Sequence, residues 1–447
     1  MYNSVICRYN EIATKGNNRS MFENTLMRNM RSALKHKLPG IKISKSRGRV
    51  YIRKEDGGDF SDDEIQVLTE NLKRCFGLDS FSMGFDGPRE YQELMDILLK
   101  FSRPLFQKHY DQGASCVKFR SRIRRADKNY PVKSRDVEIE YATKIEELFG
   151  ENRVKVDLEN PDVSIGVEIR EDHASIFLDK INAAGGLPVG SNSSLLGLLS
   201  GGIDSPVACV MAMKRGCRMD FLTFHSFPYT PMESVEKVYR IAKIINQWQT
   251  NGTLFACNLS EIQKLIRDNC DPRCRTVLYR RMMMRIASFL CHKRKLAAIV
   301  TGEAVGQVAS QTVANMRVID STVPDLILRP LCGMDKNETI ERARQLGTFD
   351  VSIEPMIDSC TVFAPKSPIL HAKLGQIEHE EQRIPNLWNA IAEAFRQLQV
   401  IKYDGLELIV NKPFKEVTDK SVGDYFTLFS DASHPEFPES HEETEMS

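Results

Sequence analysis

A multidomain chain of mixed α/β and α+β class is predicted by three observations. Strand-length apolar runs alternate with helix-length periodic segments along most of the 447 residues. The chain opens in a β-α-β-β-α order. Beyond residue 180, a short apolar strand runs through a glycine turn into a helix, the unit from which parallel sheets are built. At ~150 residues per domain the length predicts about three domains.

Composition narrows the class. Hydrophobic residues make up 42% and charged residues 27%, a globular balance. No run approaches the ~18 uncharged apolar residues of a membrane-spanning helix. The first residues, MYNSVICRYNEIATKG, lack a basic stretch followed by an apolar one, so no secretory signal and a cytoplasmic location are expected. Lys and Arg total 61 against 60 Asp and Glu, so nucleic-acid binding has to rest on local patches rather than on net charge. The 11 cysteines are odd in number and scattered, which favours reduced thiols over a disulfide framework. Cys270 and Cys274 form the only close pair, spaced C-x3-C.

The first zone is 1–75. A strand fits 3–8, and a helix fits 20–37, where Phe22, Leu26, Met30 and Leu34 recur every four residues until Pro39-Gly40 stops them. Ile41, Ile43, Val50 and Ile52 alternate with basic residues around Gly48, as in a half-buried hairpin. Ser61 and Glu64 open a further helix as a capping box. This order is a ferredoxin-like signature.

The second zone is 76–175. A helix is predicted over 89–110, a strand over 115–123, a helix over 136–149, and strands over 153–156, 161–169 and 173–179. In the first of these strands Val117, Phe119 and Ile123 share one face, and Lys118, Arg120, Arg122 and Arg124 share the other. Arg125 continues the charge, and eight basic residues lie within 118–135. Two readings stand: a solvated sheet face, or a surface whose aligned like charges are relieved by an RNA phosphate backbone.

The third zone, 180–395, carries the chemistry. An apolar strand, Leu195–Leu199, enters Ser200-Gly201-Gly202-Ile203-Asp204-Ser205, and Pro206 is expected at the first position of the next helix. Strand, glycine turn and helix N-terminus make an anion site, with Ser200 and Ser205 supplying hydroxyls. Asp204 fits such a site when Mg²⁺ bridges it to phosphate. The GxxxxGK[ST] pattern of kinases and GTPases is absent.

Ser200–Ser205 resembles the PP-loop of ATP pyrophosphatases. Gly185–Gly190 (GGLPVG) precedes it. Arg280–Arg285 (RRMMMR), Thr301–Gln307 (TGEAVGQ), Ser310–Thr312 (SQT), Leu328–Leu331 (LRPL) and Asp335-Lys336 follow in order. Over roughly 1–375 the chain resembles ThiI-type tRNA sulfurtransferases, also called tRNA 4-thiouridine synthetases. The resemblance implies a ferredoxin-like N-terminal domain, a THUMP domain and a Rossmann-like PP-loop domain with a parallel sheet. The first two would bind tRNA.

The resemblance also assigns residues. It implies ATP contacts for Leu198, Leu199, Ser200, Gly201, Gly202, Asp204, Ser205, Thr223, Phe224, Arg280, Gly302 and Gln311. Thr223 stands where the family often has His. Asp204 and Lys336 match residues needed for adenylation, and Cys360, in Asp358–Pro368, matches the catalytic cysteine. The tRNA would be thiolated at position eight, with ATP and Mg²⁺ as cofactors. A cysteine desulfurase or sulfide would donate sulfur, and a homodimer is expected.

Longer members end in a rhodanese domain with a second catalytic cysteine. Here residues 396–447 read as an extension with an acidic, disordered tail: 430–447 hold six acids and no Lys or Arg, and no cysteine follows Cys360. The resemblance also implies thiamine biosynthesis, and the missing domain puts in doubt the thiazole-forming role that some members support through it. Cys270 and Cys274 precede Arg280, so they are expected near the site mouth, as a resolving thiol, as ligands with Cys360 of an iron–sulfur cluster, or as incidental thiols. Two other functions are weighed against RNA thiolation: a small-molecule PP-loop ligase or amidotransferase, and a binder that has lost activity. The basic strand separates the first; the intact loop, Lys336 and Cys360 argue against the second.

Overall fold

The computed structural model describes residues 2–46, 48–178, 180–250, 252–356, 362–404 and 407–413. The chain divides at Ser191/Asn192 into two compact units.

The first unit runs β1 (Ser4–Arg8), α1 (Arg19–Leu34), β2 (Ile41–Ser46), β3 (Arg49–Lys54), α2 (Asp62–Lys73) and β4 (Ser80–Gly87). It continues with α3 (Tyr91–Asp111), β5 (Val117–Arg125), α4 (Ser134–Phe149), β6 (Val154–Val156), β7 (Val163–Ile169), β8 (Ala174–Phe177) and β9 (Ile181–Asn182). The stripe Phe22, Leu26, Met30 and Leu34 buries against the sheet as its period requires. The Ser61 hydroxyl accepts from the Glu64 N–H at 3.2 Å, and the Glu64 carboxylate accepts from the Ser61 N–H at 2.8 Å, so α2 starts in a full capping box.

These strands form one sheet of order β2-β3-β1-β4-β8-β7-β5-β6, with β9 beside β4. The ferredoxin-like order β2-β3-β1-β4 passes directly into the second set of strands through the antiparallel β4–β8 pair. A division at residue 75, read from the β-α-β-β-α order, thus falls before β4, whose hydrogen bonds to β1 return it to the first set. Sequence proximity cannot reveal such long-range pairing. In β5, Val117, Phe119 and Ile123 bury beneath α3 and α4, while Lys118, Arg122 and Arg124 are exposed and Arg120 half-buried.

The second unit begins with β10 (Ser194–Leu198), α5 (Asp204–Lys214), β11 (Arg218–His225), α6 (Glu233–Ile245), β12 (Thr253–Asn258), α7 (Ser260–Asn269) and α8 (Arg275–Arg294). Then come β13 (Ile299–Val300), α9 (Val313–Asp320), β14 (Ile327–Leu328), α10 (Lys336–Leu346), α11 (Phe349–Ser352), α12 (Leu374–Gln382) and α13 (Leu387–Arg396). The hairpin β15 (Gln399–Asp404) and β16 (Glu407–Pro413) ends the described chain.

The sheet order is β14-β13-β10-β11-β12-β15-β16, parallel from β14 to β12 and antiparallel beyond. Helix α8 is buried nearly all round, which explains its Met282–Met284 run. Beside it, Glu381 takes ion pairs from Arg281 at 2.6 Å and Arg285 at 2.8 Å. Burial pushes that carboxyl up, and the two guanidiniums more than reverse the shift, holding it below its ordinary range. The hairpin β15–β16 differs from the expected C-terminal extension. Val400 and Ile401 bury against β12, and Asp404-Gly405 between apolar runs is a turn signal of the kind that joins hairpins. The acidic stretch 430–447 lies outside the described residues.

Candidate functional site

Chain order places the site. From β10 the chain winds through α5, β11 and α6 to β12 on one side, then returns to β13 on the other side of β10. Ligands of open α/β sheets bind at such a switch point, beyond the carboxyl ends of the strands. Here those ends carry Ser200–Ile203 after β10, Thr223 and Phe224 in β11, and Thr301-Gly302 after β13.

The Ser200–Ser205 loop is braced internally. The Ser200 N–H donates to the Ser205 hydroxyl at 2.9 Å, the two hydroxyls lie 3.0 Å apart, and the Gly202 N–H donates to the Ser200 hydroxyl at 3.3 Å. Neither Gly201 nor Gly202 has positive φ. Gly201 runs close to the Lys237 stem: a Cβ there would lie 3.2 Å from its Cδ, tighter than ordinary contact. Helix α5 starts at Asp204, so Pro206 occupies its third position, not the first. Its missing N–H still costs nothing, because the first four N–H groups of a helix have no partner within it.

Asp204 joins two distant segments. Lys336 donates to one carboxylate oxygen at 2.7 Å and the Gln307 amide to the other at 3.0 Å. Lys336 is the first residue of α10, whose start is fixed by the capping box of Asp335 and Glu338. A cation at a helix N-terminus opposes the helix dipole, and Asp204 offsets that repulsion. Gly302 presses on the same helix start: a Cβ on it would stand 2.6 Å from the Ser205 nitrogen. The Gly302→Ala variant should therefore displace the loop backbone, destabilising the fold by ~1–3 kcal/mol and weakening ATP binding. Urea unfolding and equilibrium dialysis read the two effects together.

The supporting hydrogen bonds were not visible in the sequence. Arg329 donates to Glu303 at 2.8 Å and clasps Asp320 with both terminal nitrogens, and the Thr301 hydroxyl donates to Glu303 at 3.0 Å. This network gives the TGEAVGQ and LRPL blocks a shared purpose, holding the chain around Gly302. Gln307 and Glu303 sat inside a recognised block, which was their one signal.

A cavity of about 310 Å³ opens beside the loop. Ser200, Gly201, Gly202, Thr223 and Phe224 line it, as do Lys237 and the Ser352–Met356 stretch. Leu199 is buried, and Leu198 packs half-buried on the core below. Arg280 and Gln311 do not line this cavity. Gln311 is buried, with its side-chain carbonyl oxygen unpartnered among the described residues, while its backbone carbonyl accepts from Gly306 at 2.9 Å. Cys360 lies outside the described residues.

Cys270 and Cys274 are buried, not exposed. Both bury in the core where α7, α8 and α12 meet: the Cys270 thiol donates to the Glu380 carbonyl at 3.4 Å, and Cys274 accepts from the Gln376 amide at 3.8 Å. Burial, then Glu380, pushes the Cys270 thiol up to about 12; burial, then Asp271, pushes Cys274 up to about 11. Burial thus favours the protonated thiol at both positions, which makes them poor partners for disulfide exchange. No group of three or more metal-ligating side chains occurs among the described residues. Sequence spacing located the pair correctly before α8 but could not tell which way the side chains face.

In the first unit, the basic side chains of β5 are not equivalent. Lys118 pairs with Asp157 at 3.4 Å, Arg120 donates to the Leu158 carbonyl and the Ser164 hydroxyl, and Arg125 donates to the Tyr130 carbonyl. Arg122 and Arg124 are exposed, with no hydrogen bond or ion pair among the described residues.

A braced anion loop at a parallel-sheet switch point, with a carboxylate–lysine pair beside it, defines a nucleotide-handling PP-loop enzyme, here joined to a ferredoxin-like and THUMP unit. Residues 4–82 match the ThiI ferredoxin-like domain, 94–179 the THUMP domain and 190–385 the thiamine biosynthesis protein ThiI. A probable tRNA sulfurtransferase of Caldanaerobacter subterraneus subsp. tengcongensis is 37% identical over 86% of this chain and 96% of its own. Another, of Moorella thermoacetica, is 38% identical over 90% and 98%. The crystal structure of a 4-thiouridine synthetase–RNA complex with bound ATP superposes with TM-score 0.80, at 34% identity, over 90% of this chain and all of the other. The chain belongs to the ThiI family of tRNA sulfurtransferases. No described helix is long and apolar enough to cross a membrane.

Proposed function

We propose that this protein uses ATP to convert a uridine of tRNA to 4-thiouridine, at position eight as the family implies. The observation that carries the reading is the meeting of Asp204, Gln307 and Lys336 beside the Ser200–Ser205 loop, which sets a lysine and a carboxylate next to the anion site. MgATP is the substrate. Its phosphates lie on the loop amides and the α5 N-terminus, with Asp204 available to the metal. Phe224 and Thr223 face the adenosine.

The uridine O4 attacks the α-phosphorus, and pyrophosphate leaves. Lys336, oriented by Asp204, stabilises the charge that develops on phosphorus oxygens. A persulfide on Cys360 then attacks C4 through its outer sulfur, and AMP departs with the former O4. An external thiol attacks the Cys360 sulfur of the resulting C4–S–S–Cys360 bridge, releasing 4-thiouridine, and a second external thiol reduces the disulfide left on Cys360. The outer sulfur of that persulfide is sulfane sulfur delivered by a cysteine desulfurase; sulfide, where it is the donor, attacks C4 directly and forms no persulfide. The buried Cys270 and Cys274 take no part, and neither an iron–sulfur cluster nor a resolving disulfide is assigned to them. A homodimer is part of the reading.

ATP–pyrophosphate exchange with and without tRNA tests the first half, and nucleoside analysis of tRNA from a deletion strain tests the whole. Deletion-strain tRNA that keeps its 4-thiouridine overturns the reading. A small-molecule ligase would show exchange that ignores tRNA.

The tRNA is held by shape and backbone, through β5. Arg122→Glu and Arg124→Glu should weaken tRNA binding while leaving ATP binding intact. Each arginine–phosphate pairing removed should flatten the log–log salt dependence by roughly one unit. An unchanged slope in filter-binding titrations places the RNA elsewhere.

A further inference from the structure

We infer that Lys237 is a positioning residue that latches the Ser352–Met356 segment onto the phosphate-binding loop, so that one wall of the nucleotide cavity depends on α6. The inference rests on the proposed assignment of that cavity to ATP.

Helix α6 buries Val235, Val238, Ile241, Ala242 and Ile245, and Lys237 buries with them, only 6% exposed. A lysine at such a position is costly unless its ammonium is fully engaged. Here it donates to the Ser352 carbonyl at 2.9 Å and the Glu354 carbonyl at 2.8 Å, at the end of α11. Helix ends leave carbonyls without intrahelical partners, and a cation satisfies them. The lysine stem runs along Gly201, where any Cβ would stand 3.2 Å from its Cδ. The Ser352 hydroxyl adds a bond to the Gly202 carbonyl at 3.4 Å. Three residues along α6, Arg240 grips the Glu354 carboxylate from the solvent side, at 2.7 Å for one of its two hydrogen bonds. Glu354 is thus held by its backbone through Lys237 and by its side chain through Arg240, and Pro355 and Met356, which follow, line the cavity. Arg240 does not line it.

A latch and a direct phosphate ligand make different predictions. The full-length chain and its Lys237→Met, Lys237→Arg and Arg240→Ala variants are compared by equilibrium dialysis with ATP and with adenosine, and by hydrogen–deuterium exchange of peptides covering 349–356. A latch predicts that Lys237→Met weakens ATP and adenosine alike, by about tenfold, and speeds exchange of that segment. Arg240→Ala, which removes only the outer grip, should move both readouts the same way by a smaller factor. Lys237→Arg, which keeps a cation for the two carbonyls, should restore most of the affinity. Loss confined to ATP, with exchange unchanged, makes Lys237 a phosphate ligand and overturns the latch, as does unaltered binding in Lys237→Met. If Lys237→Met does not fold, unchanged exchange in Arg240→Ala overturns it. Failure of the unmodified protein to bind ATP or adenosine refutes the ATP assignment instead, and the exchange data still report on the latch.

Discussion

Replacing Lys336 with Met, or Asp204 with Ala, is expected to slow tRNA-dependent pyrophosphate release by about a hundred- to a thousandfold, the effect of removing one preorganised group from a developing charge. The two residues are one device. Their side chains meet at 2.7 Å, and each stands at the first position of its helix, α10 and α5. Removing Asp204 leaves the Lys336 ammonium facing two helix N-termini with no carboxylate to orient it. Removing Lys336 leaves the carboxylate beside the phosphate loop without its cation. The double variant should therefore be little worse than the worse single one, because residues acting as a unit are not additive. Gln307→Ala, which removes only the amide hydrogen bond to Asp204, should show a milder effect. Quench-flow measurement of pyrophosphate with saturating tRNA checks the set. Activity within tenfold of the parent in either single variant would remove the pair from the mechanism.

Cys360→Ser is expected to abolish 4-thiouridine formation, while pyrophosphate release on tRNA persists. Adenylation draws on the loop, Asp204 and Lys336, and none of these needs a thiol. Sulfur transfer does need one, because a serine oxygen cannot carry a persulfide and the attacking group has to be a sulfur nucleophile. The assay pairs nucleoside analysis with pyrophosphate release on the same samples. Loss of both activities together would contradict a division of labour between the two steps. The burial of Cys270 and Cys274 sharpens the expectation for them: Cys270→Ala and Cys274→Ala should retain thiolation, and the cost should appear as reduced stability from two small cavities in the α7–α8 core.

Much of this protein was legible along the chain because the relevant physics acts over a few residues. The capping box at Ser61 and Glu64 joins groups three apart. The stripe of α1 and the alternation of β5 follow from helical and pleated periods. The Ser200–Ser205 loop braces itself with bonds no longer than five residues in span. Such features fold the same way wherever they are placed, so residue order alone announces them.

Packing between distant segments decided the rest. Nothing in the local sequence marks out Lys237, and the return of the chain at 352–354 makes its buried ammonium tenable. Gln307 and Glu303 acquire purpose from Asp204 and Arg329. The β15–β16 hairpin becomes part of the catalytic sheet through its pairing with β12. Cys270 and Cys274, close in sequence to Arg280, turn inward because α12 covers them. In each case the deciding partner lies at least 26 residues away. Period and spacing carry no information over that distance; desolvation and hydrogen-bond satisfaction in the closed core supply it.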